Sequence, residues 1–162
     1  MRVLALILAL LAAMCASASD AAFEDAVFEC DFDRWHVGAG ASLVLPQGGG
    51  AMRRVAGAEV RAGYYMTEMW TAEFAASRLE NVTGLSAGFM WHWWGYERFD
   101  PFFTYGAKGW LDGFGAGPYG GIGALWNIDD YWSLRLDFDA TLAVGAGEYM
   151  VYSLTAGIRR TF

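Results

Sequence analysis

The sequence predicts an all-β protein: an eight-stranded antiparallel up-and-down transmembrane β-barrel, preceded by a cleaved signal peptide. Three observations predict it. The chain of 162 residues opens on an export-type leader. Beyond the leader, apolar residues recur at every second position in eight successive segments. In each segment the apolar phase carries an aromatic residue at the same end of the barrel, where a membrane strand meets the lipid headgroups.

Composition sets the outer limits. The chain is 56% apolar and 17% aromatic against 18% charged, which excludes disorder. Two cysteines cannot build a disulfide framework. The net charge is −7 and Lys108 is the sole lysine, so no phosphate backbone is bound and no nucleic-acid partner is expected. His36, His92 and Cys30 have no metal-ligand spacing, so no metal and no cofactor are expected.

The elements follow in order. After Met1-Arg2, twelve apolar residues run from Val3 to Met14 and lead into Cys15-Ala16-Ser17-Ala18. Spanning a bilayer takes about 20 residues, so this run is too short, and the small-residue site reads as cleavage after Ala18. Residues 1–18 are therefore a signal peptide. Ala13-Met14 before Cys15 does not fit a lipid-attachment site. Residues 19–33 form an acidic periplasmic segment, with six acids and no base from Asp20 to Asp33. Either a solvated tail or a short extra element fits it. Cys30 within it is a lone thiol.

The barrel occupies residues 34–162. Its strands fall at about 34–45, 57–66, 69–79, 84–94, 99–110, 117–128, 131–142 and a last segment ending at Phe162. The seventh is clearest: Trp132, Leu134, Leu136, Phe138, Ala140 and Leu142 alternate with Ser133, Arg135, Asp137, Asp139 and Thr141. Successive side chains on a strand point to opposite faces, so each segment separates an oily side from a polar one. Odd strands begin, and even strands end, at one membrane face. The oily-phase residues there are Trp35, Tyr64, Trp70, Trp93, Phe99, Trp126, Trp132 and Phe162, a periplasmic aromatic girdle. Tyr64 to Trp70, Trp93 to Phe99 and Trp126 to Trp132 share one six-residue spacing, which suggests equal tight turns on that side.

The opposite phase holds Glu59, Arg61, Glu73, Asp100, Lys108, Arg135, Asp137, Asp139 and Arg159. In a membrane barrel these five acids and four bases point into a narrow lumen. They must pair there, because an unpartnered ion in low dielectric is expensive. Arg135, Asp137, Asp139 and Arg159 lie on neighbouring strands and are expected in one network. Tyr65, Met90, Trp94, Phe102, Trp110, Tyr119 and Leu125 share the inward phase, and glycines leave room for them. The interior is expected to be plugged, with at most a thread of water. Pro101 and Pro118 each remove a ladder donor and are expected near strand ends.

Tyr119-Gly120-Gly121-Ile122-Gly123-Ala124, then Trp132-Ser133-Leu134-Arg135-Leu136-Asp137, then Gly157-Ile158-Arg159 closing on Phe162, resembles the eight-stranded outer-membrane barrels of the OmpA/OmpX type. The resemblance implies a Gram-negative outer membrane, both barrel termini in the periplasm, and a structural, adhesive or protective role. It also implies that the barrel-assembly machinery reads the last strand. Leu154, Ala156, Ile158 and Phe162 match the family's C-terminal insertion signal, and Arg160 stands where an aromatic is usual. No peptidoglycan-binding domain is expected after the last strand. Partners are then outer-membrane lipid and lipopolysaccharide, with a monomeric barrel. Outer loops at about 46–56, 80–83, 111–116 and 143–148 are short for adhesion, and Arg53 and Arg54 are candidate lipopolysaccharide contacts.

No catalytic residue is assigned. His36 and His92 lie at the periplasmic end, away from the outer leaflet where lipid A chemistry occurs. Neither has a serine in a nucleophile motif. The expectation is a non-enzymatic envelope protein with a side-chain-filled, charge-paired lumen. A lipid A-modifying outer-membrane enzyme and a soluble secreted calycin-like barrel with an apolar ligand are the alternatives.

Overall fold

A computed structural model describes residues 35–47, 54–93, 98–111, 115–145 and 148–162. The leader, the acidic segment with Cys30, Arg53 and Trp94 lie outside these residues. Eight strands follow one another: β1 (Trp35–Gln47), β2 (Val55–Thr67), β3 (Trp70–Leu79), β4 (Val82–His92), β5 (Phe99–Trp110), β6 (Gly115–Asn127), β7 (Trp132–Val144) and β8 (Glu148–Thr161). Each pairs antiparallel with the next, and β8 pairs with β1 to close the barrel. Closure removes the open sheet edges whose unpaired backbone groups a hydrocarbon environment does not tolerate.

Register fixes the girth. Following paired residues from His36 through Gly63, Glu73, Gly88, Gly106, Tyr119, Thr141 and Val151 returns to β1 at Pro46, ten residues from the start. Eight strands with that stagger tilt at roughly 35–45° and enclose a space only wide enough for side chains.

Period two becomes burial with the usual sense reversed. On β7, Ser133, Arg135, Asp137, Asp139 and Thr141 are buried, whereas Trp132, Leu134 and Leu142 are exposed. Val37, Val60, Phe74, Leu85, Phe89, Phe103, Tyr105 and Ile158 extend the exposed apolar wall around the barrel. An apolar surface of that extent is unusual on the outside of a soluble barrel.

Two apolar clusters close the inward face. Met90, Phe102 and Leu125 pack together toward the end that carries the chain termini. Val44, Leu79, Trp110, Ala143 and Val151 pack at the other end, with Val55 and Val82 against them. Polar residues fill the space between.

Both prolines lie where the ladder spares their missing N–H. Pro101 stands beyond the last β4 pair, and its carbonyl accepts from Trp93 N at 2.9 Å. At Gly117 and Pro118 the β6–β7 pairing is interrupted, resuming at Tyr119↔Thr141. The equal turns suggested by aromatic spacing are not found. Between β2 and β3 only residues 68–69 intervene after a bulge at Tyr65/Thr67, β4 and β5 are separated by 93–98, and β6 and β7 by 128–131. The reason is that pairing begins at different offsets from each aromatic. Thr67 faces Trp70 at the first turn, whereas the β4–β5 pairing starts at His92↔Phe102 and the β6–β7 pairing at Asn127↔Ser133.

Candidate functional site

The lumen is where this chain concentrates its chemistry, and it is built in layers. Inward residues on one strand are spaced about 7 Å apart, two residues at roughly 3.4 Å each, so each layer draws one side chain from each of several strands.

The middle layer holds an ion cluster. Arg61 on β2 donates through Nη1 to Asp137 Oδ2 at 2.7 Å and through Nη2 to Oδ1 at 3.3 Å, a two-pronged contact with β7. It also reaches Glu73 at 3.3 Å and contacts Glu59. Arg135 donates to Glu73 Oε1 at 2.5 Å and to Asp137 Oδ2 at 2.8 Å, with its guanidinium 4.9 Å above the Phe102 ring. Two bases thus bridge three acids contributed by β2, β3 and β7. Low dielectric strengthens each such contact, and removal of one partner strands the others. Lys108 forms a second pair, 2.8 Å from Asp139 Oδ2 and 3.0 Å from Ser153 Oγ.

The expected single network of Arg135, Asp137, Asp139 and Arg159 therefore divides. Arg135 and Asp137 join the cluster, while Asp139 is met by Lys108 from across the lumen. Arg159 has no carboxylate partner among the described residues; it donates to Ser133 Oγ at 3.3 Å and lies 5.5 Å from the Tyr65 ring. Alternate residues on one strand do meet, as Arg135 and Asp137 do, but Lys108 on β5 takes Asp139, and Arg159 reaches Ser133 instead of an acid.

Toward the termini lies an arrangement that sequence spacing did not suggest. Thr71 Oγ1 is 2.9 Å from His92 Nε2, and His92 Nδ1 is 2.5 Å from Asp100 Oδ2. Hydroxyl, imidazole and carboxylate come from β3, β4 and β5, so no local motif announces them. The order matches nucleophile, base and orienter. All three residues are 0% exposed, however, and neither small void described below touches them. The chain of contacts ties three strands together. His36 on β1 is 3.2 Å from Glu73 Oε1, and the Tyr65 ring lies between the two imidazoles at 5.2 and 5.8 Å.

Space inside is scarce. Two voids of about 10 Å³ each adjoin the ion cluster, room for a single water apiece. Glycines make the packing fit: a Cβ at Gly123 would stand 2.3 Å from Phe102 Cζ, and one at Gly88 2.5 Å from the Tyr119 hydroxyl.

On the outside, Trp35, Trp93, Trp132 and Phe162 are exposed, and Tyr64, Trp70 and Trp126 are partly so. Phe99 differs. It is only 3% exposed, edge-on to Trp126 at 6.3 Å, because it opens β5 directly opposite that larger ring. Leu154, Ala156, Ile158 and Phe162 share the outer face of β8. Arg160, on the same face, lies 5.4 Å from the Trp132 ring and 5.0 Å from that of Phe162.

No family model and no curated protein matches the sequence. Solved structures do match the fold. OprG of Pseudomonas aeruginosa superposes with a TM-score of 0.62 at 12% identity, over 80% of this chain and 96% of that one. Neisserial surface protein A gives 0.63 at 12% identity, over 79% and 97%. Ail, the attachment invasion locus protein of Yersinia pestis, gives 0.61 at 9% identity, over 80% and 99%. A transmembrane β-barrel produced by de novo design gives 0.57 at 12% identity, over 78% and 95%. The likeness to eight-stranded outer-membrane barrels is therefore one of fold.

Proposed function

We propose that the chain is a non-enzymatic envelope protein of a Gram-negative-type outer membrane, a monomeric barrel with both barrel termini in the periplasm. One observation carries this reading: a set of charged side chains is held inside, most of them in direct contact with one another, while most of the large apolar side chains of the strands face outward. A soluble barrel for an apolar ligand requires the opposite. The lumen serves as a solid polar core that locks the strands, and the apolar clusters at either end favour a wall over a conduit. The exposed rings near the termini act as a periplasmic girdle. The outer face of β8 serves as the insertion signal for the assembly machinery.

The connections away from the termini are short, the longest being residues 48–54. That favours an envelope role over the attachment named for Ail, with lipid and lipopolysaccharide as the partners. The Thr71–His92–Asp100 contacts favour a second reading, catalysis on lipid. Their burial argues for strand clamping instead.

Cell fractionation with and without boiling before electrophoresis tests the reading. Recovery in the outer membrane with heat-modifiable mobility is the expected result, and release without detergent would reject it. Mass spectrometry of lipid A from cells with and without the gene should give identical spectra. Planar bilayers should carry no large steady current.

A further inference from the structure

Arg159 is the exception among the lumen bases. Arg61, Arg135 and Lys108 each hold a carboxylate. Arg159 is 3% exposed, and its Nε and Nη1 have no hydrogen-bond partner. A guanidinium buried with two vacant donors loses several kcal/mol of hydration that nothing around it restores.

Arg159 lines one of the small voids. It is lined by Arg159, Arg61, Arg135, Glu73 and His36 and measures about 10 Å³. Gly38 and Gly40 on β1 pair with Arg159 and Gly157 on β8 so closely that a Cβ at any of the three glycines would stand 2.5–3.1 Å from a backbone oxygen of the facing strand. His36 donates through Nε2 to Glu73, and its buried Nδ1 has no partner. With Nε2 donating, that Nδ1 is an acceptor, so Arg159 alone supplies the unmatched donors among the residues that line the cavity. Of the three guanidinium groups around it, those of Arg61 and Arg135 are matched by Glu59, Glu73 and Asp137, and Arg159 alone has no carboxylate in contact.

We propose that this void binds one monatomic anion, chloride under ordinary conditions, with Arg159 Nε and Nη1 as its donors. Size excludes phosphate, sulfate and organic acids, since the space admits one water-sized particle. The unpaired guanidinium of Arg159 repels a cation. Water would satisfy the donors but leave the charge of Arg159 without a counterion. Arg159 stands three residues before Phe162, toward the end that carries the termini. The site is independent of any envelope role, because it depends only on the closed barrel.

Crystals of the refolded chain grown in bromide test the proposal by anomalous scattering. The expected result is a bromide peak within hydrogen-bond reach of Arg159 Nε and Nη1, displaced by excess chloride and absent from Arg159→Gln. In micelles, thermal unfolding at fixed ionic strength should move to higher temperature as chloride replaces gluconate, and that shift should vanish in Arg159→Gln. If the variant fails to fold, the peak and the chloride shift in the unaltered chain decide. An empty anomalous map at Arg159, bromide only on the outer surface, a peak retained in Arg159→Gln, or unfolding indifferent to chloride would each overturn it.

Discussion

Lys108 Nζ is held by both oxygens of Asp139 and by Ser153 Oγ, all of them buried. Replacing it by methionine keeps much of the volume but leaves a carboxylate without its cation. Lys108→Met should lose about 3–5 kcal/mol, read by urea unfolding from lipid vesicles. Adding Asp139→Leu should recover most of that loss, because an apolar pair needs no counterion. A double variant as unstable as the single one would show that volume, not charge, governs the site. A second residue-scale prediction concerns Glu80. It turns the chain between β3 and β4 at φ 46°, a left-handed conformation that a side chain disfavours. Glu80→Gly should raise stability by about 0.5–1 kcal/mol in the same assay.

Strands succeed or fail by alternation, and β8 tests this. Its outer face presents Leu154, Ala156, Ile158 and Phe162, while Ser153, Thr155 and Arg159 face inward. Arg160 interrupts the apolar series, and the rings of Trp132 and Phe162 on either side accommodate its charge by cation–π contact. If β8 is the segment read during insertion, deleting Phe162 should lower the heat-modifiable fraction in cells several-fold. Arg160→Phe should leave it equal or higher. The measurement is the ratio of folded to unfolded bands in the membrane fraction. The strands themselves were legible from period two alone. Turn lengths were not, because a bulge at Tyr65/Thr67 and an early end to β4 at His92 leave the aromatic spacing unchanged while altering the turns.

For the whole molecule, the proposed membrane role turns on which face meets lipid. Spin labels at Leu134, Leu136 and Leu154 should report hydrocarbon contact in vesicles, with accessibility to oxygen exceeding that to a water-soluble nickel reagent. A label at Thr141, which is fully buried on the inward side, should be shielded from both. Labels at the leucines that behave as a packed apolar centre would reverse the inside and outside of the barrel. The stagger of ten residues matters at this scale, since it sets how far each strand slides past the next and thereby which charges meet.

By itself the sequence determined the strand number, the phase of every strand and therefore which charges face the lumen. These are local properties, read from alternation along one strand. Partner choice belonged to the tertiary structure. Arg61 meets Asp137 across 76 positions of sequence, and Thr71, His92 and Asp100 converge from three strands. Alternation gives direction but not height, and height depends on the accumulated shear around a closed barrel. For the same reason nothing local marked Arg159 as the base without a carboxylate, since only the closed register puts it beside Gly38 and Tyr65 rather than beside an acid.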